Sequence, residues 1–330
     1  MKQKLKEFLF SYGLIIAGVF LLFVSTLTLA IPSEENENLS LFKFPPYSVA
    51  SIGGDFFSQK PPVPLAMNSS TFDATMTAFS AVAMDFDSKA VLFSKNAREA
   101  RPLASVTKLM TMMTLLDLPI DFSRTETITE ADSAGGDHHL QTGEKYSLEQ
   151  LWQVALVGSS NVAINALVRA SGLSTEEFVA KMNKKAGDYK LSSAVFVEPT
   201  GLSAQNIASA FDAAKLLRES LRYEKIYQTL RLPEYAGRTK EKVWSTNWLL
   251  TGWIPNDFAR GDIIGKTGYI PGSRYNFAGN FIDEKGRSLV TVVLGADANE
   301  SRFTEARDLA DWVFANYLWP RDAGYDELAR

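Results

Sequence analysis

The sequence predicts an α+β fold, an α/β sandwich in which one antiparallel sheet is built from both ends of the domain and flanked by helices. Strand-like runs occur early in the globular part, at 77–86 and 90–94, and again near its end, at 262–267, 275–282 and 288–294. Strands that pair across the two ends enclose the segment between them. The long middle stretch, whose apolar residues follow helical spacing, is therefore predicted to be a helical insertion.

Capping signals mark where the predicted helices begin. Ser147 with Gln150, and Ser174 with Glu177, show the capping-box pattern ahead of apolar residues at helical spacing. Three further helices are predicted from apolar spacing, over 105–116, 208–223 and 304–317.

Composition excludes several kinds of function. A net charge of -4 and a pI near 5.5 give the chain no general basic field, so no nucleic-acid partner is expected. The chain contains no cysteine, which rules out disulfides, thiol catalysis and zinc-thiolate sites. Its two histidines, His138 and His139, are too few for a metal cluster. No metal or other cofactor is expected, and catalysis has to use hydroxyls, lysines and carboxylates.

The first 31 residues have the pattern of an N-terminal membrane anchor. Lys2, Lys4 and Lys6 precede an uncharged run over 8–30, and acidic residues follow it. As a helix this run would be about 34 Å long, whereas the apolar part of a cleaved signal peptide is usually about 7–15 residues. The alternative is a signal peptide cleaved after Ala30. Either way, the rest of the chain is predicted to be outside the cytoplasm, on a single-pass anchor or secreted.

The remaining chain divides into three parts. Residues 32–67 are rich in proline and acidic residues without a sustained period, which is typical of a linker. A globular domain is predicted over 68–320, followed by a C-terminal tail over 321–330.

Ser105 and Lys108 are the first pair that suggests chemistry. On a helix, residues three apart project from one face. A serine hydroxyl is a poor nucleophile until a neighbour takes its proton, and a lysine in a protein-walled cleft near other cations can act as that base. The pair alone is a weak signal, since an N-cap serine with a surface lysine looks the same.

Two later motifs strengthen this hypothesis. Ser159 and Asn161 form a Ser-x-Asn triplet between two helical runs, and Lys266-Thr267-Gly268 ends a strand-like run. Ser-x-x-Lys, a Ser-x-Asn triplet and Lys-Thr-Gly, in this order, are the combined signature of penicillin-binding proteins and class A β-lactamases.

Residues 78–317 resemble the DD-carboxypeptidase family of low-molecular-mass penicillin-binding proteins. Besides the three motifs, the segments 199–202, 245–250 and 266–279 also resemble segments of this family. The resemblance implies a β-lactamase/DD-peptidase-like fold and a 68–320 catalytic domain. It also implies a serine hydrolase of the bacterial cell membrane that removes the terminal D-alanine from peptidoglycan stem peptides, in cell-wall biogenesis and cell shape. β-Lactam antibiotics would be covalent inhibitors.

The resemblance also implies how acylation would proceed. Ser105 would attack the carbonyl of the penultimate D-alanine while Lys108 takes its proton. The backbone N–H groups of Ser105 and Tyr269 would form the oxyanion hole.

The other matching positions would handle the substrate. Ser159 would relay a proton to the leaving D-alanine, and Asn161 would hold the stem-peptide amide. Lys266 would supply positive charge and Thr267 would bind the terminal carboxylate. Gly268 would let a substrate strand approach the backbone closely.

The sequence departs from the family pattern at one binding position. Asp297 stands about where some family members carry an arginine aimed at the carboxylate, and Arg274 and Arg302 are weak substitutes. His138 and His139 lie in a loop that borders the cleft in the family, and a surface role is expected for both.

Three other functions compete with a carboxypeptidase. A DD-endopeptidase that cuts peptide cross-links would use the same residues. A β-lactamase would need a Glu-x-x-Leu-Asn loop, which does not occur between Asn161 and Lys266. A non-catalytic wall-binding protein would be expected to have lost Ser105, Lys108 or Lys266, and all three are present.

Overall fold

The computed structural model describes residues 62–330, apart from Ala134, Gly135, Asp137, His138, Arg238, Lys240 and Arg260. The predicted membrane anchor and most of the predicted linker lie outside these residues. Within the described part, no helix combines the length and apolarity needed to cross a membrane.

The described chain consists of helices and mostly short strands, with three long strands in succession near its end. The strands are β1 (Leu65–Ala66), β2 (Ser80–Asp85), β3 (Val91–Lys95), β4 (Ala100–Pro102), β5 (Thr125–Thr127), β6 (Lys145–Ser147), β7 (Ile207–Ser209), β8 (Glu234–Tyr235), β9 (Val243–Trp244), β10 (Ile263–Ile270), β11 (Arg274–Ile282), β12 (Ser288–Ala296) and β13 (Tyr317–Leu318). The helices are α1 (Lys108–Leu116), α2 (Leu148–Val157), α3 (Asn161–Ala170), α4 (Thr175–Asp188), α5 (Ala210–Ser220), α6 (Glu224–Leu230), α7 (Trp248–Thr251), α8 (Ser301–Asn316) and α9 (Tyr325–Leu328).

The main sheet joins the two ends of the domain, as predicted. Its strand order is β10-β11-β12-β2-β3, and every neighbouring pair is antiparallel. The segment between β3 and β10 forms the helical insertion, so the predicted α+β architecture is confirmed. β10 and β3 are the two edge strands.

The inner strands of the sheet, such as β2 and β12, are buried on both faces because they are apolar on both sides. In β2, Val82 and Met84 belong to one hydrophobic cluster, and the alternate residues Ala81 and Ala83 belong to the other. Side chains alternate across a strand, so each face receives one set. Helix α5 packs on the first face and α8 on the second, which completes the sandwich.

Both predicted capping boxes are confirmed. Ser147 and Gln150 begin α2, and Ser174 and Glu177 begin α4, each pair with reciprocal side-chain to backbone hydrogen bonds. These contacts satisfy backbone N–H groups that the first turn of a helix leaves without partners.

The two ends of the described chain also meet. β1, which falls in the predicted linker, pairs with β13. Tyr325, in the predicted tail, is buried, and its hydroxyl donates a 2.8 Å hydrogen bond to the Val63 carbonyl.

Candidate active site

Ser105 lies on a tight turn rather than on the regular helix that the spacing predicts. Residues Ala104–Thr107 form a 3₁₀ turn, and α1 begins only at Lys108. Ala104 adopts a left-handed backbone conformation with φ of 49°, which a regular right-handed helix cannot include. Gly201 packs directly on this turn, since a Cβ there would lie 2.1 Å from the Ala104 carbonyl oxygen.

Lys108 is fully buried and bound to three acceptors. Its Nζ lies 2.8 Å from Ser105 Oγ, 2.7 Å from Asn161 Oδ1 and 2.6 Å from the Thr200 carbonyl oxygen. Carbonyl oxygens only accept hydrogen bonds, so Asn161 and Thr200 fix two of the three N–H directions of the amine. The third direction faces Ser105. An unprotonated Lys108 would therefore aim its lone pair at the serine hydroxyl.

A short turn between α2 and α3 carries Ser159 and leads into Asn161. Ser159 has a φ of 61°, and the Ser160 hydroxyl caps α3 by accepting a 2.9 Å hydrogen bond from Ala163 N. This cap makes Asn161 the first residue of α3, next to Lys108. His139 lies beside the turn, 3.1 Å from where a Cβ on Gly158 would stand, and His138 lies outside the described residues.

Lys266 forms a second pair of lysine and serine. Its Nζ donates to Ser159 Oγ at 2.7 Å and to the Thr267 carbonyl at 3.2 Å. Burial lowers the pKa of Lys266 well below its usual value, and the positive charges of Lys108 and Arg302 lower it further. Each motif serine thus accepts a hydrogen bond from a buried lysine, and the two amines are close enough for their charges to interact.

The open edge of β10 faces the site. The Asp262 carbonyl accepts from Ile282 N on β11, whereas the next carbonyl, of Ile263, accepts from the Asn247 side chain on the opposite side. Backbone groups alternate between the two edges of a strand, so the N–H and C=O of Tyr269 face the open edge. Gly268, its neighbour, lies against the Ser105 turn: a Cβ there would be 3.1 Å from Ser105 N.

The close approach at Gly268 is made by the protein itself. A Cβ on Gly268 would lie 2.5 Å from the Leu103 carbonyl oxygen, so only glycine lets β10 pack on the Ser105 turn. Asn276 on β11 strengthens this contact, since its Nδ2 donates to the carbonyls of Pro102 at 3.0 Å and Leu103 at 3.1 Å. Its role is absent from the sequence prediction, because only tertiary structure brings β11 under this turn.

Arg302 is buried behind β10 and does not reach the surface of the cleft. Its Nη1 donates a 3.1 Å hydrogen bond to the Gly268 carbonyl, and burial lowers its pKa to about 10. C=O and N–H point in opposite directions across a trans peptide. By binding the Gly268 carbonyl, Arg302 therefore holds the Tyr269 N–H in the direction of the open edge.

Two hydroxyls lie where a substrate carboxylate is expected. Thr267 Oγ1 is 2.6 Å from the hydroxyl of Thr246, a residue to which the sequence prediction gave no role although it lies in the family-like segment 245–250. Arg274 instead forms an exposed ion pair with Asp297. Asp297 thus pairs with Arg274, one of the two arginines predicted as weak substitutes for the arginine of other family members.

Glu198 shapes the loop that supports Lys108. Its carboxylate accepts hydrogen bonds from Thr200 N at 2.6 Å, Gly201 N at 2.7 Å and Asn206 Nδ2 at 2.7 Å. These contacts fix the Thr200 carbonyl that binds Lys108 and the glycine that packs on the Ser105 turn. The sequence prediction missed Glu198, although its position directly before the family-like segment 199–202 was a signal.

Comparison with known proteins shows which family this chain matches. Residues 67–298 match the sequence profile described as D-alanyl-D-alanine carboxypeptidase. The chain is 31% identical over 254 residues to D-alanyl-D-alanine carboxypeptidase DacF of Bacillus subtilis (strain 168), which covers 75% of this chain but only 64% of that protein. It is 34% identical over 242 residues to the D-alanyl-D-alanine endopeptidase of Haemophilus influenzae, covering 70% of this chain and 80% of the relative.

The fold is also similar to solved structures. The Streptomyces K15 DD-transpeptidase superposes with a TM-score of 0.68 at 23% identity, over 74% of this chain and 100% of that one.

Proposed function

Because this chain belongs to the D-alanyl-D-alanine carboxypeptidase family, we propose that it removes the terminal D-alanine from peptidoglycan stem peptides through an acyl-enzyme on Ser105. The observation that carries the proposal is the 2.8 Å contact between Ser105 Oγ and the fully buried Nζ of Lys108. In this proposal Lys108 acts in its neutral form, which is the form of a lysine that can accept a proton.

Acylation starts at Ser105. Its Oγ attacks the carbonyl carbon of the penultimate D-alanine, and its proton passes to Lys108, which Asn161 and Thr200 hold in place. The carbonyl oxygen becomes an oxyanion, which the N–H groups of Ser105 and Tyr269 stabilise. Preorganised donors of this kind are each worth about 10²–10³ in rate.

The leaving D-alanine needs a proton and a place for its carboxylate. When the C–N bond breaks, Ser159 gives its proton to the leaving nitrogen and recovers one from Lys266, whose lowered pKa makes its ammonium a stronger acid. The hydroxyls of Thr267 and Thr246 bind the carboxylate. Water then attacks the ester carbonyl and gives its proton to Lys266 through Ser159, Ser105 leaves with the proton held by Lys108, and the shortened peptide is released.

Asn161 also contributes to binding the acyl side of the substrate. Its Oδ1 accepts a hydrogen bond from Lys108, and its amide nitrogen is the group that would donate to a carbonyl of the stem peptide. The stem peptide then lies along the open edge of β10, where the backbone groups of Tyr269 can pair with it.

A penicillin adduct tests the proposal directly. We expect purified protein to gain the mass of one penicillin on the peptide that contains Ser105, and to release D-alanine from a soluble pentapeptide. Ser105→Ala should do neither while keeping its circular dichroism spectrum. Absence of an adduct in the wild type would refute an acyl-serine enzyme, and rapid turnover of penicillin would indicate a β-lactamase instead.

A DD-endopeptidase is the second candidate. The alignment with the Haemophilus influenzae endopeptidase covers 80% of that protein, whereas the alignment with the Bacillus subtilis carboxypeptidase covers 64% of its length. Both activities use the same acyl-enzyme. Digesting monomeric pentapeptide and cross-linked dimer side by side, with product masses as the readout, separates them.

The N-terminal segment gives the enzyme its location in this proposal. Residues 1–31 anchor the chain in the bacterial membrane with the catalytic domain outside the cytoplasm. Full-length protein should remain with membranes after alkaline carbonate washing. A mature protein whose N-terminus is Ile31 would show a cleaved signal peptide instead.

A further inference from the structure

A cluster of tryptophans is exposed beside the proposed active site. Trp244 is 44% exposed and Trp253 is 53% exposed. Their ring centroids are 5.9 Å apart, and Trp253 also packs edge-on against Trp248 at 5.6 Å. Trp248 in turn stacks on the buried ring of Phe303. The exposed indoles are therefore attached to the core and form a fixed aromatic surface.

This aromatic cluster, Trp244, Trp248 and Trp253, adjoins the pair of threonine hydroxyls. Thr246 is two residues from Trp244 and two from Trp248, and two residues span at most about 7 Å of chain. The hydroxyl of Thr246 is 2.6 Å from that of Thr267. The aromatic cluster therefore lies next to the proposed carboxylate site along the chain.

The order of the site along β10 tells which part of the substrate would meet the cluster. The acyl group lies at Ser105 and the Tyr269 N–H, and the carboxylate of the leaving residue lies at Thr267 and Thr246. Asn247, which lies between Thr246 and Trp248, donates a 3.0 Å hydrogen bond to the Ile263 carbonyl, so the segment that carries Trp248 continues past the carboxylate site toward the start of β10, away from Tyr269 and on the leaving-group side. A free D-alanine consists of little more than a methyl group and a carboxylate, so it would leave these indoles uncovered.

We propose that the aromatic cluster is a subsite for a large leaving group, namely the second stem peptide of a cross-linked substrate. The proposal rests on the proposed acyl-serine function. In such a substrate the leaving nitrogen belongs to the side chain of another stem peptide, whose aliphatic part can lie on the indole faces. Lys242 lies 4.9 Å from the ring centre of Trp244 but pairs with Glu234 at 3.2 Å, so the cluster offers its indole faces rather than a net charge.

The test compares substrates that differ only in their leaving group. For Trp244→Ala and Trp253→Ala, kcat/KM on a purified cross-linked dimer should fall about tenfold, the usual loss when an aromatic anchor is truncated. Hydrolysis of monomeric pentapeptide and acylation by penicillin should stay within about twofold of wild type, since neither has a second stem peptide. Equal losses on both substrates, or no loss on the dimer, would overturn the subsite.

Two control variants complete the experiment. Trp244→Phe keeps an aromatic face and should retain most of the dimer cleavage. Val91→Ala alters a residue of similar exposure on β3, the opposite edge of the sheet, and should affect neither substrate. If wild-type protein forms no penicillin adduct, the proposed function fails. If the wild type forms a normal adduct but the tryptophan variants do not lose dimer cleavage selectively, only the subsite is rejected.

Discussion

Replacing Gly268 with alanine tests whether the contact between β10 and the Ser105 turn positions the oxyanion hole. The added Cβ would lie 2.5 Å from the Leu103 carbonyl oxygen and 3.2 Å from Ala104 Cβ. Ordinary contacts begin at 3.4 Å, so the strand and the turn must separate by about 0.9 Å. Both neighbours belong to well-packed chain, and neither can move aside as a flexible side chain would.

The magnitude follows from this displacement. Overpacking of this kind costs about 1–3 kcal/mol of unfolding free energy. The larger effect is kinetic, because the N–H groups of Ser105 and Tyr269 stand on the two parts that separate. A misplacement of about 1 Å at reacting groups costs on the order of 10² in rate, so acylation by penicillin should slow by about that factor.

The assay is the second-order rate constant for acylation by a fluorescent penicillin, together with a thermal melt. Gly187→Ala is the matched control, because Gly187 lies in α4 and a Cβ there meets nothing within 4 Å. It should acylate at the wild-type rate and gain up to about 1 kcal/mol of stability from better helix propensity. A Gly268→Ala protein that acylates within threefold of wild type would refute the positioning role.

Three further variants test charge and burial. Arg302→Met should slow acylation about tenfold because the Gly268 carbonyl loses its donor, and it should raise the pKa of Lys266. Arg302→Lys should recover part of the rate. An unchanged acylation rate in Arg302→Met would contradict a positioning role for Arg302. Lys266 has a lowered pKa in the folded protein, so the unfolded chain binds more protons and wild-type stability should rise with pH toward about 10.5. Thermal melts of Lys266→Met at several pH values should show less of this rise. Parallel stability curves for the two proteins would reject the lowered pKa of Lys266. Partial desolvation, with the negative charges of Asp308 and Asp257, raises the pKa of Asp311 to about 6, so its stabilising neutral form is lost as pH rises through that value. Asp311→Asn should therefore melt above wild type at pH 7.5 and not at pH 3.5, and a constant difference would argue against the shift.

Local patterns predicted the parts of the fold that depend on neighbouring residues. The capping boxes at Ser147 and Ser174 form as expected, because each involves contacts across only three residues. The five strands of the main sheet were placed to within a few residues, since alternation and turns are local signals. The family was also predicted correctly, because three short motifs in a fixed order carry more information than any one of them.

The parts that sequence could not supply arise from contacts between distant segments. Ser105 was expected on a helix, but the left-handed backbone at Ala104 follows from its packing against Gly201 and Gly268. Likewise, Arg302 was considered for the substrate carboxylate, and only the packing of α8 shows that it binds the backbone of β10. Thr246 could not be paired with Thr267 before the fold brought them together. The side chains of the three motifs were visible in the sequence, whereas Glu198, Asn276 and Arg302, which hold the surrounding backbone, could be assigned only from the fold.

The turn that carries Ser105 is held between two glycines from different layers of the sandwich. Gly201 belongs to the loop in the helical insertion, and Gly268 belongs to a strand formed by the last part of the chain. Neither contact exists until its own layer has folded and docked. In the proposed mechanism, reactivity of Ser105 would therefore be a property of the completed domain, and a chain in which either layer is unfolded would have no competent nucleophile. Activity would then appear only after both layers have folded.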